Sequence, residues 1–328
     1  MSSELFRSLV ASPELYQVRR SLYDCTKPCL YVVLQNMENS ENRVYILRRK
    51  PNGGRRLVLI PSLPAMPRAA SIVAVDSKIH VFGGYKSNHQ GKTSSAFSID
   101  CLSHTVQPLL SMPVPVASSV ACIIDKKIYV FGFTSYNTKA MVVFNTETQT
   151  WEQPGMIEPD IELGHRLYDC VVMDNKMYTM GSSSNSLVYE PKEKKWKESE
   201  WRLGNRQYWK SACVIDDVCY YYDRRDNKLM AYDIKERHRE VVVGANEFLA
   251  KARRSGGWWP CTTVSYGGKL LVLFTKKVEI VKELWCAEIT LGERNGQTIS
   301  DEVEWYDVVF AGHFNLIESL AAESILHI

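Results

Sequence analysis

The 328-residue sequence lacks any Cys-x-x-Cys pair, although it contains nine cysteines. Their number is odd, and several thiols lie within apolar runs, as Cys122 does in "VACII". This usage is typical of buried free cysteines in a protein of a reducing compartment. We therefore expect free thiols and no disulfide framework.

Long apolar runs and long basic blocks are also missing. No stretch of about 18 apolar residues occurs, so we expect no membrane span. Glu4 and Arg7 near the start argue against a secretory signal. A net charge of +3 without a basic block gives no reason to expect nucleic acid as a partner. A cytoplasmic or nuclear protein is expected.

Motifs that carry catalysis are missing as well. The "NGG" at 52–54 is not followed by Lys-Ser or Lys-Thr, so it does not form a phosphate-binding loop, and no Gly-x-Ser-x-Gly elbow occurs. One stretch, "EPDIELGHR", has carboxylates and an imidazole that could hold a divalent ion. These side chains are Glu158, Asp160, Glu162 and His165. A solvated loop is the favoured interpretation, and we expect no metal, no cofactor and no enzyme.

What the sequence does contain is a repeat. The stretch "DKKIYVFGF" at 125–133 returns as "DSKIHVFGG", "DNKMYTMGS", "DDVCYYYDR" and "GGKLLVLFT", which start at Asp76, Asp174, Asp216 and Gly267. Successive copies are separated by 49, 49, 42 and 51 residues. A strand-forming motif that returns at such intervals indicates a repeat fold.

Each copy belongs to a unit with the same four parts. An apolar run leads into a tight turn, whose first residue is Asp in four of the five copies, and the quoted strand follows. A loop, a third strand and a second polar turn then lead to a fourth strand, as in "KAMVVFNTETQTW". Four short antiparallel strands per unit predict a propeller blade. Helical repeats would space apolar residues by three and four, and a sandwich would not repeat its turn residues at a fixed interval.

The number of units predicts an all-β, six-bladed propeller over residues 28–328. Five units follow the repeat, and residues 28–64 form a sixth with two apolar strands. The tail "HFNLIESLAAESILHI" can supply the missing strand of that unit and so remove exposed sheet edges. Seven blades would need more chain at the two ends. The predicted blades span about 28–64 plus the C-terminal strand, 68–113, 116–158, 165–203, 208–245 and 258–311.

Two features of these units resemble the kelch repeat. "VFGG" at Val81–Gly84 ends a second strand in a di-glycine, and "TETQTWEQPGM" at 146–156 carries a turn and an aromatic residue. Glycine lets neighbouring sheets approach and lets the chain turn out of the strand. In kelch repeats a Tyr and a Trp pack blade against blade. The resemblance implies this packing role for Trp151, Trp196 and Trp305.

Both ends of the chain resemble the plant F-box/kelch-repeat family. "SSELFRSLVASPELYQVRRSLY" is similar to the last half of an F-box, and "LWCAEITLGERNGQTISDEVEWYDVVF" to the end of that family's propeller. We find no counterpart of the Leu-Pro-containing segment that opens the family's F-box. Residues 1–27 are therefore expected to form a partial, helical F-box, with one helix over 2–11 and another that begins at Ser12. Three interpretations stay open: a vestigial F-box, a working F-box and a packing cap.

The resemblance implies a non-enzymatic protein-interaction module. Its propeller would capture a protein substrate, and its N-terminal helices would dock, in a vestigial or a working form, to the adaptor of an SCF-type ubiquitin ligase. The alternative is a kelch-propeller enzyme or a metal-dependent specifier protein. A third interpretation is a degenerate duplicate that has kept no partner.

One face of the predicted ring is the expected partner site. It is lined by the chain before the first strand of each blade and by the loop after the di-glycine. Aromatic and Arg side chains dominate interface energetics, and cationic ones fit an acidic peptide or a phosphate. The predicted partner-binding residues are Arg68, Lys86, Tyr136, His165, Arg166, Tyr208, Trp209, Arg224, Trp258 and Trp259. Otherwise the aromatic residues are buried blade corners and the charged ones are solvated loop residues.

Overall fold

The computed structural model describes eleven segments of the chain, and nearly all of them are β-strand or tight turn. They are 27–85, 91–134, 138–152, 155–156, 167–181, 186–198, 212–223, 226–245, 248–250, 261–296 and 298–324. The predicted N-terminal helices lie outside the described residues. No helix in these segments is long and apolar enough to cross a membrane.

The strands form six sheets of four main strands, which we call blades 1 to 6. Blade 1 has the spatial order β25-β1-β2-β3, and the later blades follow chain order. The strands of blade 1 are β1 (Lys27–Asn36), β2 (Asn42–Arg49), β3 (Arg55–Leu59) and β25 (Phe314–Ser324). Those of blade 2 are β4 (Ser71–Val75), β5 (Lys78–Phe82), β6 (Ala96–Asp100) and β7 (Thr105–Pro108). Those of blade 3 are β8 (Ala117–Ile124), β9 (Lys127–Phe133), β10 (Lys139–Asn145), β11 (Thr150–Trp151) and the short β12 (Gly155–Met156).

Blades 4 to 6 repeat the arrangement, and a parallel pairing of β20 with β24 joins the last two into one sheet. The strands of blade 4 are β13 (Leu167–Met173), β14 (Lys176–Gly181), β15 (Ser186–Glu190) and β16 (Lys195–Glu198). Those of blade 5 are β17 (Cys213–Ile215), β18 (Val218–Asp223), β19 (Lys228–Asp233) and β20 (His238–Val242). Those of blade 6 are β21 (Cys261–Tyr266), β22 (Lys269–Val278), β23 (Val281–Arg294) and β24 (Thr298–Gly312).

The innermost strands of the six blades, which are β25 in blade 1 and the first strand in each of the others, contact each other in a closed circle. The order of contact is β25, β4, β8, β13, β17, β21 and back to β25. Hydrogen bonds between side-chain hydroxyls join two pairs of these strands. Ser71 bonds Ser119 at 2.5 Å, between β4 and β8, and Thr262 bonds Ser319 at 2.7 Å, between β21 and β25. A ring of inner strands with the remaining strands outside it is a β-propeller. The predicted all-β fold with six blades is confirmed.

The two ends of the described chain share blade 1. Strand β25 pairs antiparallel with β1 along the whole length of β1, from Lys27 opposite Ser324 to Asn36 opposite Phe314. The innermost strand of this blade therefore comes from the end of the chain, and the other three come from its beginning. The pairing completes blade 1, whose innermost strand contacts those of blades 6 and 2.

The tight turns between the first and second strands explain the repeated Asp. The first turn residue has a positive φ in all five copies, and in four of them the second does too. The first residues are Asp76, Asp125, Asp174, Asp216 and Gly267, with φ between 47° and 56°. Two successive left-handed residues define the type I′ turn, which matches the twist of a hairpin and favours Asp, Asn and Gly.

Glycine and tryptophan bring the blades together. A Cβ at Gly83 would lie 2.3 Å from the carbonyl oxygen of Val116 in the next blade, and φ at Gly83 is 65°. Trp151 packs on Phe82 of blade 2 at 5.5 Å and on Phe144 of its own blade at 4.9 Å, measured between ring centroids. Trp196 likewise lies 4.6 Å from Phe131 of the preceding blade. The apolar core is thus distributed over the junctions between blades.

Candidate functional site

The upper face is the face on which we expected a partner. It carries the loops between second and third strands and the connections from one blade to the next. Of the ten predicted residues the structure describes one, the exposed Arg68, whose carbonyl oxygen accepts the Tyr85 N–H at 2.9 Å. The other nine lie outside the described residues, as does the acidic stretch at 158–165: they are Lys86, Tyr136, His165, Arg166, Tyr208, Trp209, Arg224, Trp258 and Trp259.

The described part of the upper face has exposed apolar side chains where blade 6 meets blade 1. Ile280, in the turn after β22, is 80% exposed, and Met37, in the turn after β1, is 53% exposed. Lys282 crosses between the blades and donates to the carbonyl oxygen of Phe314 and to Oδ1 of Asn315. Single exposed apolar residues are common on protein surfaces, so these residues alone do not define a site.

The lower face carries the turns that join first to second and third to fourth strands, and its unusual feature is the β2–β3 hairpin. Two arginines end β2, a lysine follows, and two arginines begin β3, with the tight turn Pro51-Asn52-Gly53-Gly54 between the lysine and β3. The five cations are Arg48, Arg49, Lys50, Arg55 and Arg56. We call this segment, residues 48–56, the basic hairpin.

The register of the basic hairpin places like charges opposite each other. Arg48 is the cross-strand partner of Arg56, and Arg49 is the partner of Arg55. Directly opposed like charges destabilise an antiparallel pair. Successive strand residues point to opposite faces, so Arg49 and Arg55 face blade 6, and Arg48 and Arg56 face blade 2. Each face of the hairpin therefore has its own arginine pair.

Only Arg55 of these arginines has an acidic partner among the described residues. Its Nη1 donates to Oε2 of Glu288 in blade 6 at 2.7 Å, and its guanidinium lies 3.9 Å above the ring of Trp305. Glu288 also accepts from Nε1 of Trp305 at 2.6 Å and from Nζ of Lys269 at 3.1 Å. Burial would raise the pKa of Glu288, but these three donors outweigh it and lower the pKa to about 2. The carboxylate is therefore ionised at neutral pH and holds blade 6 to blade 1.

A groove of about 1060 Å³ runs along this lower edge, from blade 1 to the start of β22, and its walls include arginines from both faces of the basic hairpin. Besides the basic hairpin, its walls include Lys27, Pro28, Tyr266, Lys269 and Glu288. Lys27 is exposed, as are Arg48, Arg49 and Arg56. These four cations form no ion pair with any described residue. The groove is consequently cationic, with an aromatic ring and a proline in its wall.

Comparison with known proteins identifies the fold family. The chain matches the model of the FKB95, Kelch-repeats domain over residues 44–310. It is 42% identical to the F-box/kelch-repeat protein At4g38940 of Arabidopsis thaliana, over 97% of this chain and 86% of that protein. It is 34% identical to F-box/kelch-repeat protein At4g39580 of the same plant, over 98% and 86%. The chain belongs to the F-box/kelch-repeat family.

Family membership confirms the resemblance seen in the sequence and the kelch type of the propeller. As a member of the F-box/kelch-repeat family, this chain is a protein-interaction module. Loops on a rigid scaffold are where such modules carry their binding residues. The upper-face loops and the basic hairpin are both of this kind.

The basic hairpin of this F-box/kelch-repeat protein was missed by the sequence analysis, which searched for a continuous basic block. A different signal was present, because residues 42–75 contain seven Arg or Lys and neither Asp nor Glu. Strand pairing then concentrates these charges, and Lys27 and Lys269 join them from other parts of the chain. A search for a long window without acidic residues would have found the hairpin.

Proposed function

We propose that this chain is the non-enzymatic substrate-recognition subunit of an SCF-type ubiquitin ligase. The closed six-bladed ring in a member of the F-box/kelch-repeat family is the observation that supports it best. The ring presents loops on two faces, whereas its sheets are occupied with packing against each other. The chain would promote ubiquitin transfer by proximity alone, since a substrate held on the propeller is kept near the ubiquitin-transfer machinery.

The two parts of the chain have separate tasks in this proposal. Residues 1–27 dock to the ligase adaptor, and the propeller binds a protein substrate. On the upper face, the ten residues predicted from the sequence are the proposed contacts. Arg68 is an exposed residue whose backbone lies next to Gly84.

The thiol chemistry of the described chain fits a role without catalysis. Burial raises the pKa of Cys101, Cys213 and Cys261 to about 12, so these thiols are protonated at neutral pH and are poor nucleophiles. Within the described segments, no group of three or more His, Cys, Asp or Glu could hold a metal ion. Metal analysis of the purified full chain tests the alternative function, because stoichiometric iron or copper would contradict a non-enzymatic role.

Direct binding of the purified full chain to the ligase adaptor tests the ligase assignment. Isothermal titration calorimetry is expected to give a 1:1 complex with a dissociation constant below about 10 μM. The double variant Leu5→Glu/Leu9→Glu places charges among the apolar residues of the predicted first helix, and it is expected to abolish binding. The matched control Ser3→Glu/Ser8→Glu adds the same charge to that helix and is expected to bind.

Two results would contradict docking of the adaptor to the predicted N-terminal helices. One is an absence of heat and of co-elution for the unaltered chain at about 100 μM, well above the expected dissociation constant. The other is equal loss of binding in both double variants, which would indicate a general charge effect.

A further inference from the structure

The basic hairpin differs from its counterparts in the next four blades at one defined position. The last cross-strand pair before the turn between third and fourth strands is Arg49 with Arg55 in blade 1. The counterpart pairs are Asp100–Thr105, Asn145–Thr150, Glu190–Lys195 and Asp233–His238. Four blades thus place an acid or an amide where blade 1 has an arginine. Blade 1 alone among these five sheets opposes like charges there.

In three of the other hairpins, the acid or amide also builds the turn. Oδ1 of Asp100 accepts the N–H groups of Leu102 and Ser103, and Oδ1 of Asp233 accepts those of Lys235 and Glu236. This Asx turn satisfies the backbone from within. In blade 1, Pro51-Asn52-Gly53-Gly54 forms the turn, so the residues beside it are not needed for the turn itself. Arg55 pairs with Glu288, but an arginine opposite it costs stability, and the turn itself requires none.

The uncompensated cations have a definite ligand chemistry. Three of the four are arginines, whose planar guanidinium presents paired N–H donors that match the two oxygens of a carboxylate or a phosphate. Lys27 adds a fourth positive charge at the same groove. Tyr266 and the prolines Pro28 and Pro51 supply rings against which the backbone of an extended chain can lie.

The rest of the lower face argues against an extended polyanion. The first turns of blades 2 to 5 each expose an aspartate on this face, at Asp76, Asp125, Asp174 and Asp216. Two of the cations elsewhere on the face, Lys126 and Lys235, are paired with Glu147 and Asp217. A nucleic acid or an anionic membrane laid across the ring would meet these aspartates. A short linear segment confined to the groove of blade 1 would not.

We propose that the groove at the basic hairpin binds a short acidic peptide segment through Arg48, Arg49, Arg56 and Lys27. The recognised groups are oxyanions, which clustered carboxylates or phosphorylated side chains can supply. This proposal rests on the proposed function, because it takes the peptide to be part of the substrate. It also assigns substrate contact to the lower face, opposite the face predicted from the sequence.

Fluorescence anisotropy with the full chain tests the proposal. The probes are a labelled peptide of five Glu-Gly repeats and the same peptide with two Glu residues replaced by phosphoserine. At about 50 mM salt we expect micromolar binding of at least one of them, and weaker binding at about 300 mM salt. The double variant Arg48→Gln/Arg56→Gln is expected to lower the affinity at least about tenfold, since two charge-assisted contacts are lost. The better-bound probe identifies the oxyanion source.

The matched control is Lys126→Gln/Lys235→Gln, which removes the same two charges from the lower face in blades 3 and 5. Its affinity for the peptide is expected to change less than about twofold, because both lysines are already paired. Equal loss in the control and the hairpin variant would overturn the proposal, as would unchanged binding in the hairpin variant. Tighter binding of a 20-base single-stranded DNA or of phosphatidylserine vesicles than of either peptide would overturn it too.

Adaptor binding by the same Arg48→Gln/Arg56→Gln protein separates the two proposals. If the variant binds the adaptor as tightly as the wild-type chain does, and the wild-type chain binds neither peptide, the groove is rejected and the ligase function stands. Peptide binding without adaptor binding would keep the groove and reject the ligase function. An unchanged midpoint of thermal unfolding shows that the double variant is folded.

Discussion

The junction between blades 2 and 3 and the junction between blades 6 and 1 use the same residue type in different ways. At the first junction, Trp151 lies between Phe82 and Phe144, both fully buried. At the second, Trp305 is opposite Glu288 in the neighbouring strand and lies under the guanidinium of Arg55. Tryptophan suits both places because it has two apolar faces and one N–H donor.

The difference follows from what each junction has to join. Blades 2 and 3 are consecutive in sequence, and apolar packing between them is sufficient. Blades 6 and 1 come from opposite ends of the described chain, and there a buried ion pair adds directional bonds to the apolar contacts. Directional bonds specify one alignment of the two sheets, whereas aromatic packing tolerates several. This contrast can be tested by breaking each junction separately.

The largest expected effect comes from Glu288→Gln at the junction of blades 6 and 1. The Arg55 side chain is 15% exposed, and without the carboxylate its charge would be buried unpaired. We expect the free energy of unfolding to fall by about 3–5 kcal/mol, measured by denaturant titration. The control Glu147→Gln breaks an exposed pair with Lys126 and is expected to change little. Equal effects of the two substitutions would contradict the importance assigned to the buried pair.

A smaller, pH-dependent effect is expected at the junction of blades 2 and 3. His80 is 3% exposed and stacks on Phe82, and burial lowers its pKa to about 4, with a smaller effect of Lys78 in the same direction. Unfolded His80 takes up a proton below its ordinary pKa of 6.5, whereas folded His80 stays neutral until about pH 4. Stability is therefore expected to fall on acidification, by about 2 kcal/mol between pH 7.5 and pH 5.

Unfolding of the variant His80→Leu as a function of pH checks this assignment. Blade 6 has Leu271 at the same repeat position, so leucine is expected to fit, and Nδ1 of His80 has no hydrogen-bond partner to lose among the described residues. The variant should lose about 2 kcal/mol less stability over that pH range. The control His313→Leu alters an exposed histidine and should keep the wild-type slope. A wild-type slope in His80→Leu would show that other groups cause the pH dependence.

The smallest expected effect is a gain of stability in the basic hairpin. Arg56→Thr removes the like charge opposite Arg48 and introduces a good strand former, so we expect a gain of about 0.2–1 kcal/mol in denaturant titration. Arg43→Thr is the matched control, because Arg43 is paired with Leu34 and no like charge is relieved. A loss of stability in Arg56→Thr would mean that the arginine pair is structurally required and would remove one support for the groove.

The architecture could be predicted from the sequence because its signals are local. Each Asp at the start of a repeat occupies a left-handed position of one tight turn, and Trp151 and Trp196 each lie six residues after the last residue of a third strand. The network of Glu288 could not be predicted, because Arg55 is 233 residues away and the repeated Trp gives no hint of its partner. The groove was missed for the same reason, since its cations become neighbours only after the strands pair. All ten predicted upper-face residues stay a prediction, and nine of them lie outside the described chain.

The shared sheet of β1 and β25 has a consequence for how the protein is made. The ribosome releases the amino end first, so five complete sheets have emerged before residues 314–324 become available. Until then the nascent polypeptide is an open arc, and the free side of β1 is an unsatisfied template for other chains in the crowded cell. A premature stop codon before Phe314 would remove the strand that closes the ring, and the exposed edge of β1 would then leave the protein permanently prone to aggregation.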